Sequence, residues 1–293
     1  MNKFDIITAC PFNTEVYAKA LPNLGEVEMD PTFQLPVLRR RIPGTAYSDG
    51  VGPWPYLWIE SDADIEKLYV GFRHLVTLSI VTQPGHVPKA KGDDAKFLKQ
   101  HYVYDPGLPR RPLSRRARER LSRCEAHAAF EVVSNEHQRM EMVGLYEGLK
   151  HRRGLTGGLF DHGRRYFENI SELNNGIFFR VLNNQGLGAM ACGVEFAGIL
   201  QILHTVISEH GLRWNASYLL MHGLQDYARA HRLRLLTGGM PDAGADGLRI
   251  FKERWANSFA PVYLLRIVND RPRYAELCAG KDGDGYFPAY RQR

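Results

Sequence analysis

The sequence predicts an α/β fold in which a mixed sheet carries helices on its faces. From Phe130 onward, apolar stretches with strand or helix periodicity follow one another as strand, two helices, three strands, helix, strand, helix and strand. The three consecutive strands are joined by tight turns, which indicates an antiparallel meander. The crossovers through helices indicate parallel neighbours. Such a sheet is typical of ligand-binding α/β proteins.

The composition indicates a globular protein with a proper core. The chain has 293 residues, of which 44% are hydrophobic and 11% aromatic, enough for one large domain or two modest ones. Its cysteines form no CxxC pair, so neither a zinc site nor a disulfide framework is expected. No window approaches the roughly 18 apolar residues of a membrane helix. The start of the chain makes a poor signal peptide, so a cytoplasmic protein is expected.

Basic residues are clustered in the sequence. The formal net charge is +6, at the lower edge of what nucleic-acid binders show. The densest run holds arginines at positions 110, 111, 115, 116, 118, 120 and 123, and Arg39–Arg41 form a smaller cluster. Such patches bind phosphate backbones, although arginine-rich helices are often merely solvated.

The elements before Phe130 are fewer and less regular. A helix over 62–75 runs into a strand over 76–82, which makes this part α/β or α+β. A later helix begins at Ser114 as its N-cap residue. Its apolar stripe holds Ala117, Leu121, Cys124 and Ala128, and a second stripe beside it holds three arginines of the basic run.

The elements after Phe130 follow from periodicity and turn residues. Helices are predicted over 136–154, where Gly154 ends the helix, and over 163–173, 215–233 and 246–255. Strands are predicted over 130–133, 176–182, 187–196, 198–208, 233–239 and 261–268, with a hairpin turn at 183–186. In the last helix Leu248, Phe251 and Trp255 are expected to face the core. The tail from Asn269 has turn composition.

Three segments in this order resemble the Fem-like transferases, which use aminoacyl-tRNA and belong to the GCN5-related N-acetyltransferase superfamily. They are "LSRRARERLSRCEAHAAFEVV" (113–133), "WNASYLLMHGLQDYARAHRLRLLTGG" (214–239) and "GLRIFKERWANSF" (247–259). The resemblance covers about residues 100 to 268. It implies a GCN5-related N-acetyltransferase fold and two domains of which the first is degenerate. Residues 1–107 are therefore interpreted as a shortened, degenerate transferase-like domain and residues 108–293 as the complete one.

The resemblance also implies a function. Most of the family passes an aminoacyl group from aminoacyl-tRNA to an amine, so peptide-bond formation on a peptide natural product or a cell-wall precursor is expected. The chain lacks the long heptad arm of some cell-wall members, which favours a smaller stand-alone transferase, as in antibiotic biosynthesis. One alternative is an N-acyltransferase that uses an acyl thioester. A second alternative is a non-catalytic RNA-binding protein on a decayed transferase fold.

The segment before the helix at 215–233 distinguishes an aminoacyl-tRNA donor from an acyl-coenzyme A donor. A coenzyme A-dependent member carries a glycine-rich loop there, whose backbone amides hold the pyrophosphate. This sequence reads "SEHGLRWNASYLL" (208–220), with one glycine and without the motif. Aminoacyl-tRNA is therefore the favoured co-substrate, and no other cofactor and no metal is expected. Motifs of serine hydrolases, P-loop enzymes, HExxH metalloproteases and dinucleotide-binding proteins are absent.

Catalytic candidates follow from the resemblance and from residue chemistry. Lys252 matches the lysine of the family's Phe-Lys pair and is assigned to the donor's carbonyl oxygen or its terminal ribose and phosphate, with a solvated helix lysine as the alternative that helical spacing alone favours. His204 is a candidate proton shuttle, with a buried structural histidine as the alternative. It is expected to share a strand face with Ile202. Glu195 could bind or deprotonate the acceptor amine, or lie exposed at a turn.

Binding candidates flank these residues. Arg254 is expected to point away from Lys252 on the helix and to contact tRNA backbone or pair with an acid. Arg115 and Arg116 are assigned to phosphate or tRNA contacts. The helix at 215–233 opens with further binding candidates, Asn215, Ser217 and Tyr218, and Asn215 is also an expected N-cap residue.

Overall fold

The computed structural model describes residues 10–89, 95–155, 157, 160–239, 246–281 and 285–292. The start of the chain, whose sequence makes a poor signal peptide, lies outside the described residues up to residue 9. The chain divides into two compact units. One comprises the described residues of Met1–Lys99 and Pro261–Arg293, and the other comprises Gln100–Ala260.

The described residues form the following helices and strands. The helices are α1 (Glu15–Lys19), α2 (Asp62–Gly71), α3 (Arg115–Glu125), α4 (Glu136–Arg139), α5 (Glu141–Arg153), α6 (Arg164–Glu172), α7 (Glu209–Arg213), α8 (Ala216–Ala230), α9 (Asp246–Trp255) and α10 (Arg271–Leu277). The strands are β1 (Glu26–Met29), β2 (Pro36–Arg41), β3 (Ser48–Val51), β4 (Thr77–Val81), β5 (Ala95–Tyr104), β6 (Ala128–Val133), β7 (Gly176–Asn183), β8 (Gly186–Phe196), β9 (Ile199–Ile207), β10 (Arg234–Gly239) and β11 (Ser258–Val268).

The first unit is built on the strand order β1, β2, β3, β4, β11. Pairing is antiparallel except between β3 and β4. Residues 264–268 of β11 pair with β4, so the C-terminal segment belongs to this unit. The domain boundary predicted between residues 107 and 108 differs from this partition, because the sequence carries no local sign of that long-range pairing.

The second unit is built on the strand order β5, β10, β9, β8, β7, β6. The strands β6 to β9 form an antiparallel series, β9 and β10 are parallel, and β10 is antiparallel to β5. The predicted meander and the parallel crossover through α8 are thus confirmed. A parallel neighbour after the α9 crossover is not formed, because β5 occupies the place beside β10.

Each face of this sheet has its own helices. Helices α3 and α8, with Trp255 of α9, pack on the face formed by residues such as Leu200, Ile202 and Leu235. Helices α5 and α6 contribute Tyr146 and Phe167 to the opposite face. The first of these faces is called the α8 face below and the second the α5 face.

The two parallel strands of the second unit separate after a short stretch. The pairing of β9 with β10 covers only 199–201 against 234–236. Within the described residues the strands pair no further, although β9 continues to Ile207 and β10 to Gly239. Gln201 lies where they part, and its Nε2 donates to the carbonyls of Ile202 (2.7 Å) and Leu236 (3.4 Å). The C-terminal half of β10 is therefore open to other groups.

Helix ends agree with the sequence in two places and differ in one. Ser114 Oγ accepts from the backbone N–H of Ala117, and Gly154 ends α5 with a left-handed φ of 62°. Asn215 precedes α8, but its φ is 63° and its side chain makes no capping hydrogen bond. The capping role predicted for Asn215 is wrong, because a left-handed backbone turns the side chain away from the helix amides.

A bulge changes the side-chain alternation of β9. His204 pairs with Cys192 and Ile202 with the adjacent Gly193, so an extra residue lies between them on β9. His204 consequently lies on the α5 face and Ile202 on the α8 face. The prediction that the two share a face is wrong, because strict alternation fails at a bulge.

Two smaller expectations also fail. Leu248 is 46% exposed, whereas Trp255 is buried and Phe251 packs against the core of the second unit. The segment after Asn269 forms α10, where Asp270 accepts from the backbone N–H of Arg273 and caps the helix. Its turn-like composition reflects that cap rather than an irregular chain.

Candidate functional site

Lys252 lies at the open end of β10. Its Nζ donates to the Gly239 carbonyl (3.0 Å) and lies 5.8 Å from the centroid of the Tyr102 ring. Gly238 has a φ of 95°, and a Cβ built there would lie 3.1 Å from Nζ. The glycine pair at the end of β10 therefore lets the ammonium group approach the strand closely.

Tyr102 lies beneath Lys252 on the α8 face. The side chain is fully buried, and its hydroxyl has no hydrogen-bond partner in the described part of the chain. Burial raises the pKa of the phenol, the nearby Glu253 raises it further, and Arg249 opposes them. The hydroxyl is therefore protonated at neutral pH.

Two arginines converge on one phenol oxygen. Nη1 of Arg120 and Nη1 of Arg254 donate to the Tyr218 hydroxyl at 2.9 Å and 2.7 Å. Both guanidinium groups also lie over the Tyr218 ring, at 5.6 Å and 5.4 Å from its centroid. Phe251 and Trp255 pack edge-on against the same ring and hold it in place. Arg120, Arg254 and Tyr218 are called the arginine clamp below.

The arginine clamp carries an excess of positive charge. Neither arginine forms an ion pair with a described carboxylate, although both are half-buried. Because the two Nη1 atoms lie 2.9 Å and 2.7 Å from one oxygen, they are less than about 6 Å apart, and two unit charges at that separation repel by roughly 3 kcal/mol at an effective dielectric of about 20. Tyr218 is the third residue of α8, so the positive end of the helix dipole adds to the same potential. An anion bound here would relieve that repulsion.

Lys252 and Arg254 contact different groups in this region. As the sequence predicted, their side chains diverge, with Lys252 toward Gly239 and Arg254 toward Tyr218. Both nevertheless lie on the α8 face. The region containing the arginine clamp, Lys252 and Tyr102 is the candidate site of the second unit.

The other polar residues at the start of α8 contribute less. The Asn215 carbonyl accepts a weak hydrogen bond from the Cys124 thiol, and Ser217 is half-buried. Trp214 packs edge-on against His127 and His210, in the place where a glycine-rich loop was considered. The Asn215 and Ser217 side chains therefore lie near the clamp without joining it.

Most arginines of the basic run form ion pairs or hydrogen bonds with other groups of the protein. Arg115 pairs with Glu119 and is 90% exposed, and Arg116 is exposed without an ion pair to any described residue. Arg110 pairs with Asp226, and Arg111 donates to the Glu253 carbonyl. In the first unit Arg39 pairs with Glu26 and Glu28, and Arg40 pairs with Asp49.

His204 lies in an aromatic cluster on the α5 face. Its Nε2 is 3.0 Å from the Tyr166 hydroxyl, and its ring contacts Tyr146 and His162 edge-on. Burial lowers the pKa of His204 far below its usual range and that of His162 to about 4. The sheet itself separates His204 from Lys252.

Glu195 lies at the opposite end of the sheet from Lys252. It pairs with Leu200 beside the β8–β9 turn, next to the start of β10, whereas Lys252 contacts the end of β10. The six residues of β10 span about 17 Å between those ends. The Tyr227 hydroxyl donates to Glu195 Oε1 at 2.6 Å. Glu195 is therefore not brought to the candidate site.

Several solved structures share this fold. FemX superposes with a TM-score of 0.65 at 10% identity, over 93% of this chain and 96% of FemX. The chain has a Fem-like fold. L-PGS from Bacillus licheniformis gives a TM-score of 0.60 at 12% identity, over 90% of this chain and 93% of that chain. The C-terminal domain of a candidate lysylphosphatidylglycerol synthetase from Agrobacterium fabrum gives 0.61 at 13% identity, over 94% of each chain.

These likenesses confirm the fold class predicted from the sequence, a mixed α/β sheet of the Fem-like type. The sequence itself matches no family model. It also matches no curated protein. The three resembling segments meet at the arginine clamp, since Arg120, Tyr218 and Arg254 come from the first, second and third segment.

Two residues of the site were missed or undervalued in the sequence. Arg120 is one of seven arginines in the run, and only its position in the stripe beside the apolar one signals an inward direction. Tyr102 lies on β5, a strand that the sequence did not predict, so no local signal marked it.

Other kinds of site find no support in the residues described. Those residues contain no group of three or more His, Cys, Asp or Glu side chains arranged to hold a metal ion. No helix in the described ranges combines the length and apolar character needed to cross a membrane.

Proposed function

We propose that the protein transfers an aminoacyl group from aminoacyl-tRNA to the amine of a peptide acceptor and forms a peptide bond. The acceptor is a peptide natural product or a cell-wall precursor. The observation that carries this proposal is the arginine clamp, two cations that pair with no described carboxylate and lie on the same sheet face as Lys252. A phosphate-bearing donor supplies the missing negative charge.

The clamp suits a terminal phosphate of the tRNA. Guanidinium groups bind phosphate through charge-assisted hydrogen bonds, often with two N–H donors from each group. Arg120 and Arg254 already donate one hydrogen bond each to Tyr218, which fixes their direction. Arg116, exposed on the helix that carries Arg120, extends the positive surface for further backbone contacts.

The transfer step requires placement and charge stabilisation. The acceptor amine attacks the activated ester carbonyl of the donor, so most of the acceleration comes from holding the two groups together. The tetrahedral intermediate carries an oxyanion, which a fixed cation stabilises. Lys252, held by the Gly239 carbonyl at the open end of β10, supplies that cation in our proposal.

Direct transfer fits the cysteine chemistry of the chain. Burial raises the pKa of Cys124 to about 11 and that of Cys192 to about 12, so both are protonated thiols at neutral pH. A protonated, buried thiol is a poor nucleophile. These cysteines therefore give no support to a covalent acyl-enzyme intermediate.

The likeness to other proteins agrees with aminoacyl transfer. The name lysylphosphatidylglycerol synthetase denotes formation of an aminoacylated lipid, and a domain described in that way shares this fold. FemX, whose fold this chain shares, bears the name of the Fem-like transferases that the sequence resembles. The segment before α8 holds the short helix α7 and Trp214 instead of a glycine-rich loop, which favours tRNA over coenzyme A. No other cofactor is part of the proposal, and a tRNA donor places the protein in the cytoplasm.

Filter retention of radiolabelled aminoacyl-tRNAs tests the donor. The purified protein is mixed with a pool of charged tRNAs, with and without nuclease, at low and moderate salt. We expect one aminoacyl label to be retained, to be lost after nuclease treatment and to be weakened by salt. No retention, together with thermal stabilisation by an acyl-coenzyme A, would replace this proposal with the thioester-dependent alternative.

A further inference from the structure

The Tyr102 hydroxyl is a buried polar group without a hydrogen-bond partner among the described residues. The side chain is 0% exposed, and no described residue hydrogen-bonds to its Oη. Buried polar groups in folded proteins are almost always paired, because leaving one unpaired forfeits its hydrogen bonds to water. A phenylalanine would fill the same volume without that cost. The hydroxyl therefore requires an explanation beyond packing.

Comparable tyrosines in the same unit are satisfied. Tyr104, two residues along β5 on the same face, accepts from Arg110 and Arg229 at 3.1 Å each. Tyr146, on the α5 face, donates to the Phe160 carbonyl at 2.8 Å. Tyr102 differs from both, and it is the tyrosine that lies under Lys252.

The surroundings keep Tyr102 as a hydrogen-bond donor. Glu253 and Arg249, which pair with each other at 2.9 Å, are the charged groups of α9 that act on the phenol with Lys252. Because burial opposes the charged form, the phenol keeps its proton at neutral pH. Its O–H therefore remains a hydrogen-bond donor, and an incoming group that displaces the side chains covering it can accept that bond.

We infer that Tyr102 is a catalytic residue whose hydroxyl donates a hydrogen bond to the carbonyl oxygen of the transferred acyl group, beside Lys252. This inference rests on the proposed function. It adds Tyr102 to Lys252 as a second group that stabilises the oxyanion. In the transfer step the bond from the amine nitrogen to the carbonyl carbon forms and the ester bond to the ribose oxygen breaks. The amine proton passes to the ribose oxygen, and the Tyr102 proton stays on Tyr102.

Stability and activity are expected to move in opposite directions when this hydroxyl is removed. Tyr102→Phe should melt at or above the wild-type temperature, because an unpaired buried hydroxyl is lost. Tyr146→Phe is the matched control, since it removes a paired hydroxyl, and it should melt a few degrees lower. A Tyr102→Phe variant that melts as far below wild type as Tyr146→Phe would overturn the inference.

The transfer rate supplies the second measurement. In single-turnover assays, Tyr102→Phe should transfer about a hundredfold more slowly, as expected for the loss of one oxyanion donor. Filter retention of the aminoacyl-tRNA should stay within about threefold of wild type, since the contact strengthens in the transition state. A wild-type transfer rate in Tyr102→Phe would overturn the inference and leave the proposed function intact.

Failure of the proposed function gives a different result. If the wild-type protein transfers only from an acyl-coenzyme A, the tRNA donor is wrong. The same hundredfold loss in Tyr102→Phe with that donor still supports the inference. If it transfers from neither donor, the proposed function is overturned and the inference falls with it, because no transferred acyl group exists for Tyr102 to contact.

Discussion

Arg120 and Arg254 donate hydrogen bonds to the same oxygen, the Tyr218 hydroxyl, although they lie 134 positions apart in the chain. Helix α3 supplies one, and the last turn of α9 supplies the other. Their meeting point at the start of α8 concentrates positive charge where no described carboxylate offsets it. This arrangement is the basis of the first prediction.

Replacing Arg254 should weaken tRNA binding without unfolding the protein. Arg254→Met removes one cation of the clamp and relieves the repulsion from Arg120, so the free energy of unfolding should change little. Affinity for aminoacyl-tRNA should fall, and the slope of log affinity against log salt should decrease by about 1. Filter retention measured across a salt series gives both values.

Arg164→Met is the control for that experiment. Arg164 is an exposed arginine of α6 that pairs with Glu168, and α6 packs on the face of the sheet opposite the clamp. We expect its affinity and salt slope to match wild type. Equal losses in the two variants would mean that binding depends on total charge and not on the clamp.

Replacing Lys252 should affect transfer more than binding. Lys252→Met keeps much of the packing over Tyr102 but removes the cation, so single-turnover transfer should fall by about 10²- to 10³-fold. Retention of the donor should weaken by only a few fold. Lys19→Met, an exposed lysine paired with Glu15 in the first unit, is the control.

The Lys252 variant also separates an enzyme from an RNA-binding protein. If binding alone is the function, wild type and Lys252→Met both retain RNA, and neither forms an amide product. Undiminished transfer by Lys252→Met would remove Lys252 from the mechanism.

Much of the fold was predictable from the sequence because the responsible signals are local. Periodicity, the Ser114 cap and the Gly154 helix end placed α3 and α5. Strand β5 could not be predicted in the same way, because its exposed half interrupts the apolar pattern and its partner β10 is remote in sequence. The bulge before His204 likewise depends on pairing with β8.

The candidate site was predictable only in part. Lys252, Arg254 and Tyr218 belong to segments that resemble a known family, and the structure places all three on one face of the sheet. His204 and Glu195 were chosen for their chemistry, and the structure places them on the other face and at the far end of the sheet. Chemical type identifies candidates, whereas only tertiary pairing decides which of them meet.

Removing the Glu195 charge should leave transfer intact. Glu195→Gln keeps an oxygen that can accept from the Tyr227 hydroxyl, so stability should change little. The transfer rate should stay close to that of wild type, because Glu195 lies at the opposite end of the sheet from Lys252. Single-turnover assays check this. A loss comparable with that of Lys252→Met would restore Glu195 as a catalytic residue and contradict its placement here.

Stability should fall at mildly acidic pH because of the buried histidines. His162 has a folded-state pKa of about 4, lowered by burial from 6.5, so the unfolded chain binds a proton that the folded chain excludes. The stabilisation is fully present above pH 6.5 and is lost as the pH falls toward 4. At pH 5 the loss from His162 alone should be about 2 kcal/mol. Burial of His204 acts in the same direction.

Denaturant unfolding at pH 7.5 and pH 5 measures this effect. His162→Phe preserves the stacking on Tyr166. It should reduce the difference in the free energy of unfolding between pH 7.5 and pH 5 by the amount that His162 contributes. The exposed His137 is the control, and His137→Gln should leave the difference unchanged. An unchanged difference in His162→Phe would contradict the account of this cluster.

The most direct test of the central claim compares wild type with the double variant Arg120→Met/Arg254→Met in retention of a radiolabelled aminoacyl-tRNA pool at low and moderate salt. We predict that wild type retains one aminoacyl label and that the double variant loses it at both salt concentrations while its melting temperature stays close to wild type. Equal retention by a folded double variant would contradict the assignment of the clamp to the tRNA donor.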